Sequence, residues 1–528
     1  MSALPAIRQR QPGPEGMPAS DLIAGRGAIA ELLAGGAAGS SGSRLEAGAL
    51  GASSEEARTR LERILGGEGG LVTTGQQPVL FGGPLYVVYK ALSAIVMARG
   101  LERDTGRPHL ACFWIASDDH DWDEVGTTSV IDRSDELHAF RLDPPAGRQG
   151  RAVGPTPAAA VDLVAHVDEL SQALPESEFV DRYLDCLRKS YGGDASLSDG
   201  FAGALSGILD GRDFAWIDSA SPAVKRASSP LFRRALEEAA AFEAAFTGSS
   251  ERVLAAGYET PIAHLSGATN VFYDTGERRE RLYAVDDDFR AGREGPALRR
   301  EAVLETLEGE PDRFSANVAL RPTLESWLLP VEATILGPGE VAYWLQLPGI
   351  FELTDRSIPS VVPRAAWSLV EAKIARVLDK TGTDSDDLAD GGDALVRSLT
   401  RAGRPAAVDQ ALEALRSELE RGLDALGDSL ADSLPGVRSS VEKTRARSAK
   451  LLGGLTSRID AAVRDSEVHR IDGLRRAARH LFPAGRPQER VINPLYFLAR
   501  YGPDLIDELE ARTEQLLAPA VASAPDSP

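Results

Sequence analysis

Asp118-Asp119-His120-Asp121 packs three carboxylates and an imidazole into four consecutive positions, with Asp123 and Glu124 just beyond. Carboxylates this close repel one another unless each finds a cation, a donor or a shared proton. Such a cluster can serve as a general base, accept hydrogen bonds from an amine or sugar, or ligate a metal. A helix N-cap with an acidic first turn explains one or two of these groups. It does not explain all of them together with the histidine.

A second polar stretch, Thr74-Gly75-Gln76-Gln77 with Gly82-Gly83-Pro84, leads into a helical pattern. Leu85, Val88, Leu92 and Val96 share one face of that helix, and Tyr86 and Lys90, four apart, share another. Free N–H groups and the positive dipole end make such a helix start suitable for phosphate or carboxylate. The stretch is neither a Walker loop nor GxGxxG, and a plain strand-to-helix turn accounts for it equally well. The third cluster joins Asn317 and Arg321 to Gly337-Pro338-Gly339-Glu340. Glycines there allow close backbone approach to a ligand. Arg321 offers a clamp for carboxylate or phosphate, or else a structural salt bridge, and Glu340 can orient an amine.

Each cluster sits where a strand has to place it. Leu71–Thr74, Leu110–Ala116 and Val331–Leu336 read as buried strands ending at the three polar stretches. In an open parallel sheet the ligand crevice lies at the carboxyl ends of the strands, so three such ends predict one composite site. Short apolar runs alternating with helical patterns from Leu71 to Asp143 predict βαβ units. Residues 158–210 read as helices, Phe214–Asp218 as another strand, and 223–247 as a long helix. Asn270–Tyr273 and Arg281–Val285, flanking Thr275-Gly276, read as a hairpin inside a small β-containing insertion. The fold class is therefore α/β, a Rossmann-like parallel-sheet core with that insertion and an α-helical coiled-coil domain. The expected boundaries are 1–250 for an N-terminal arm and first core part, 251–310 for the insertion and 311–380 for the second core part. The coiled-coil domain is expected over 381–482, and a C-terminal helix and tail over 483–528.

The coiled coil is read from spacing. Val408, Leu412, Leu415, Leu419, Leu423, Leu426, Leu430 and Leu434 follow an 11-residue repeat, which gives a straight or slightly right-handed coil. Pro435-Gly436 breaks it, and Val441, Leu452, Leu455, Ile459 and Val463 continue on a second helix, predicting an antiparallel hairpin, either packed as an internal bundle or protruding as an arm for self-association. A net charge of −21 argues against a nucleic-acid partner. Two distant cysteines, Cys112 and Cys186, give neither a zinc cluster nor a disulfide framework. No run approaches the length of a membrane span, and the first residues lack the apolar core of a signal peptide, so a cytoplasmic protein is expected.

Taken together, TGQQPVLFGGPLYVVYK (74–90), FWIASDDHDWDEV (113–125), FSANVALRP (314–322), GPGEVAYW (337–344) and LFPAGRPQERVINPLYFLARYG (481–502) resemble the bacillithiol-biosynthesis cysteine ligase family. The order of these motifs matches from about residue 71 to residue 510. The resemblance implies a Rossmann-like core with a connecting-peptide insertion, a coiled coil that supports dimerisation, and addition of cysteine to glucosamine-malate. The core is similar to class I aminoacyl-tRNA synthetases, yet no literal HIGH or KMSKS signature appears. The cysteine-selecting zinc ligands of the related mycothiol enzyme have no counterpart either, so no zinc is expected. ATP with Mg2+, cysteine and glucosamine-malate are the expected small molecules, in a homodimer. Asp119 or His120 would be the base, with Asp118 and Asp121 as orienters. Gly75, Gln76, Gln77, Gly83, Tyr86 and Lys90 would face nucleotide or substrate anion, and Asn317, Arg321, Gly337, Gly339 and Glu340 would complete the pocket. Two other readings of the residues stand beside this one. They are a metal-dependent amide hydrolase using Asp118–Asp121 as ligands, and a non-catalytic nucleotide-binding coiled-coil dimer.

Overall fold

A run of seven buried residues, His109–Ile115, forms the strand at the heart of the larger of two units. Side chains buried on both faces of a strand are the signature of a sheet covered by helices. The structure, a computed structural model, describes residues 3–10, 32–33, 42–431 and 437–522. Most of the expected N-terminal arm, and Leu434 with the Pro435-Gly436 break, lie outside the described residues. One unit spans 369–488 and the other takes in the chain on both sides of it.

The larger unit holds a six-stranded sheet. Its strands are β1 (Gly51–Ala52), β2 (Gly70–Gln76), β3 (His109–Ile115), β6 (Ala215–Asp218), β12 (Val331–Leu336) and β13 (Ser360–Pro363), ordered β13-β12-β2-β3-β6-β1. All neighbours are parallel except β1, which runs against β6. The chain leaves β2 towards β3 and β6 on one side and later fills β12 and β13 on the other. Strand order therefore reverses beside β2, where a doubly wound sheet opens its crevice. The register sets Gly75 beside Trp114 and Gln76 beside Ile115, so the loops after β2 and β3 emerge together.

After helix α1 (Glu55–Arg63), helix α2 (Leu85–Thr105) packs on β2 and β3 and is buried nearly all round, Lys90 included. Gly106, in the left-handed region at φ 69°, closes it. The stretch expected as one helix over 223–247 is two, Pro222–Glu237 and Ala239–Ala255. Between α2 and these lies a hairpin that periodicity did not reveal, β4 (Thr127–Ile131) against β5 (Leu137–Arg141).

The insertion is a five-stranded antiparallel sheet. It comprises β7 (Ala268–Asp274), β8 (Arg279–Val285), β9 (Asp288–Ala291), β10 (Ala297–Leu298) and β11 (Phe314–Ala316), ordered β10-β9-β8-β7-β11. The expected end at residue 310 is too early, because Phe314–Ala316 pairs with β7.

The smaller unit is helical. Its core joins Ile374 and Leu378 of helix Ala372–Thr381 to Leu474, Ala478 and Leu481 of helix Val468–Leu481. Gln488 bonds the backbone of Leu369 and the carbonyl of His480. The unit therefore begins before residue 381 and ends after 482. Helices Ala406–Ala431 and Arg438–Ser466 form the hairpin. Arg404 pairs with Asp460 and Asp424 with Arg445, so numbers rise on one helix as they fall on the other, and the two are antiparallel.

Candidate active site

Gly75, the last residue but one of β2, lies so close to β3 that an added Cβ would stand 2.8 Å from the Trp114 carbonyl oxygen. No side chain fits there, and Gly75 lines a cavity of about 560 Å3, a size typical of small-molecule sites. The three sequence clusters all reach it. Gly75, Gln76, Gln77, Tyr86 and Lys90 line it from β2 and α2, and Asp118, Asp119 and His120 from the loop after β3. Asn317, Arg321, Gly337, Gly339 and Glu340 line it from the other direction of the chain.

Its polar groups are held by one another. Lys90, almost without solvent exposure, bonds Glu340 Oε2 at 2.6 Å, the Gly75 carbonyl at 2.7 Å and Gln76 Oε1 at 3.2 Å. Burial lowers its pKa, and Glu340 opposes that shift. Glu340 Oε2 also accepts from the Gly337 N–H at 2.7 Å, so one carboxylate fixes both the lysine and the turn before helix Pro338–Trp344. Arg321 donates to Glu325 at 2.8 Å. Burial alone would lower its pKa, but Glu325, Tyr343 and Glu340 more than offset that and hold it charged. The salt-bridge reading of Arg321 is thus realised inside the cavity wall. Asn317 donates to Asn270 Oδ1 and accepts from the N–H groups of Ala319 and Leu320, which shapes the turn before Arg321.

The acidic cluster divides by role. Asp118 pairs with the buried Lys225 at 2.5 Å, and Lys225 also donates to the Phe314 carbonyl. Asp119 Oδ2 accepts from Gln77 at 2.7 Å while Oδ1 accepts from the His120 and Asp121 N–H groups. His120 Nδ1 lies 3.6 Å from Asp119 Oδ1 and 3.5 Å from Arg279 Nη1.

Two expected residues stand elsewhere. Asp121 does not line the cavity. It is the N-cap of helix Trp122–Val125, accepting from the Glu124 N–H at 3.1 Å. Gly83 is buried outside the cavity, with Val87 and Val79 against the position its Cβ would take, at φ 77°. The first N–H of α2, at Leu85, is already bonded to the Ile492 carbonyl. The first N–H of the helix is thus used within the fold, and of this turn it is the Tyr86 side that lines the cavity.

Several further residues line the cavity. Glu124 faces the cavity beside Gln76 and has a raised pKa, through partial desolvation and then the Asp121 and Asp119 charges. Arg279 and Arg281 come from β8. Their alternation, two apart on a strand, is the signal that puts both on one face. Arg364 is held in a bidentate pair by Glu489, and Arg490 next to it lines the cavity. Lys225 carries no local sequence signal. Among the described residues, no group of three or more His, Cys, Asp or Glu side chains is arranged to hold a metal ion. No helix among them is long and apolar enough to cross a membrane.

Residues 45–365 match the family described as bacillithiol biosynthesis BshC, N-terminal Rossmann-like domain, and residues 367–517 match its C-terminal coiled-coil domain. Among curated relatives, a protein of Salinibacter ruber is 31% identical over 458 residues, covering 86% of this chain and 83% of its own. Proteins of Symbiobacterium thermophilum and Koribacter versatilis are each 32% identical, covering 87% of this chain and 84% of theirs. All three carry the name "Putative cysteine ligase BshC". With a doubly wound core, an inserted sheet and a coiled-coil hairpin in matching order, this chain belongs to the BshC family of bacillithiol biosynthesis, a family of ligases.

Proposed function

We propose that this chain is an ATP-dependent ligase that joins the carboxyl group of cysteine to the amine of glucosamine-malate. The observation that carries the reading is a single cavity at the ends of β12, β2 and β3 that holds buried cations and clustered carboxylates together. Making an amide from a free acid requires carboxyl activation and then attack by a neutral amine. Bound ATP with Mg2+ would supply the activation. The residues that fit its anionic part are Lys90, Arg321, Arg364 and Arg490, whose charges all reach the cavity. Gly339 has nothing within 4 Å of its Cβ position and leaves room for a ligand there.

The amine belongs beside the carboxylates. Asp119 is held by three donors, the Gln77 amide and the His120 and Asp121 N–H groups, which fixes it to orient a substrate. Glu124, with its raised pKa, is the group best tuned to accept the amine proton, with Asp119 and His120 holding the substrate. Association of two copies through the 406–466 hairpin is part of the same reading, because Leu415, Leu426, Leu451 and Leu455 remain exposed on it.

The test is incubation of the pure protein with ATP, cysteine and glucosamine-malate, followed by mass spectrometry. Bacillithiol with matching AMP or ADP is expected. Correctly folded protein that releases neither would end the ligase reading. Stoichiometric transition metal with hydrolysis of an amide would favour the hydrolase instead.

A further inference from the structure

The insertion sheet presents to the cavity a cation that nothing among the described residues neutralises. Arg281, half-buried on β8, pairs across the ladder with Phe272, and its guanidinium lies 5.0 Å from that ring. Its guanidinium makes no hydrogen bond or ion pair with any described residue. Arg279, on the same face, contrasts with it. Arg279 stacks 3.9 Å from Phe272 and donates to Ser315 Oγ and the Ala316 carbonyl. Arg321 and Arg364, also at the cavity, have carboxylate partners, Glu325 and Glu489. Arg281 also lines a small chamber of about 30 Å3 next to the main cavity, and Asn317 lines both.

A guanidinium partly removed from water without an anion is costly, and burial here lowers its pKa accordingly. In a chain of net charge −21, a half-buried guanidinium at the cavity with neither a carboxylate partner nor a hydrogen bond calls for an anion from outside. The neighbours decide which anion. Arg279, two residues away, touches the His120–Asp119 side of the cavity, where carboxylates would repel a polyphosphate. A substrate with an amine for the carboxylates and a carboxylate for the lone guanidinium fits that wall, and Phe272 offers an apolar face to the body between them.

We propose that Arg281 is the specificity residue of the acceptor subsite, binding a carboxylate of an amino-sugar acceptor through the guanidinium fork. This rests on the ligase reading, of which it specifies the acceptor's charge. Arginine suits the task because its planar donors match a carboxylate bidentately.

The experiment compares glucosamine-malate with its dimethyl ester, using wild-type protein, Arg281→Ala and Arg281→Lys, with KM measured separately for ATP, cysteine and acceptor. Arg281→Ala should raise the acceptor KM roughly 10- to 100-fold, as expected for loss of a charge-assisted contact. It should leave the KM values for ATP and cysteine unchanged and abolish the preference for acid over ester. Arg281→Lys should restore part of that preference, which a merely structural role would not. A preference that survives Arg281→Ala, or a rise in the KM for ATP instead, overturns the assignment. If Arg281→Ala does not fold, a lysine variant with unaltered acid-to-ester preference overturns it equally. Absence of product with wild-type protein is a failure of the ligase reading. Calorimetric binding of the acid and the ester to wild-type protein then still decides the subsite, because equal affinities would remove the carboxylate contact.

Discussion

Lys90–Glu340 in the cavity and Asp424–Arg445 on the hairpin are ion pairs of the same length, 2.6 Å, in opposite surroundings. The cavity pair leaves 3% of the lysine and 25% of the glutamate side chain exposed, the hairpin pair 33% of the arginine and 65% of the aspartate. Distance alone would rank them equal. Desolvation separates them, since a charge already out of water depends on its partner, whereas an exposed charge falls back on solvent. The cavity is therefore a network of mutually dependent groups, poised before any ligand arrives. The hairpin carries its charges independently and keeps its apolar residues partly uncovered.

The sharpest way to break this comparison is to delete one carboxylate in each region. Glu340→Ala leaves Lys90 buried with only the Gly75 carbonyl and Gln76 Oε1. It should cost about 3 kcal/mol of stability, the lower end for breaking a buried pair, and abolish ligase turnover. Asp424→Asn should leave the unfolding curve and the turnover where they were. Chemical denaturation of the two variants beside wild type checks both. Equal losses would show that the environments do not differ as the burial implies.

The same division explains what could be read from sequence. Seven consecutive apolar residues before Ser117 announced β3, and an 11-residue repeat announced the hairpin, because both signals are local and periodic. The three strand-end clusters were legible because polar residues after buried strands are rare without a role. What sequence withheld was pairing across long separations. Lys225 meets Asp118 from 107 residues away, and Arg364 meets Glu489 from 125. Gly83 and Asp121 misled for the complementary reason. A glycine before a helix and an aspartate before a helix have local structural uses, a left-handed turn and an N-cap, that look the same in sequence as ligand contacts. Arg281 was visible as a residue in a hairpin, but its missing partner is a fact of three dimensions only.

A second, smaller effect tests the cavity's tuning. Glu124 has its pKa raised in the folded protein, so as a base it works above that pKa and fails as pH falls through it. The acid limb of kcat/KM should therefore lie above the range of an ordinary glutamate. Glu124→Gln should lower kcat/KM by about 100-fold, the low end for general-base catalysis, and remove that limb. A variant that keeps both rate and limb would move the base to His120, to be tested with His120→Ala.

The smallest effect on the cavity should come from the hairpin's apolar stripe. Leu415 and Leu426 stand 11 residues apart, one full repeat, and are 42% and 49% exposed, while Leu412, Leu419, Leu423 and Leu430 are half-buried. An 11-residue spacing returns a side chain to the same face of a nearly straight helix, so the two leucines mark one stripe that the antiparallel partner helix leaves uncovered. Exposed apolar area of this kind favours association with a second copy. Leu415→Glu with Leu426→Glu should therefore shift the sedimentation profile from dimer towards monomer. The unfolding of the larger unit and the KM values for the three substrates should stay unchanged. A dimer that survives both charges would show that the stripe is solvated, and the hairpin would then resemble the cavity in keeping all its effective contacts internal.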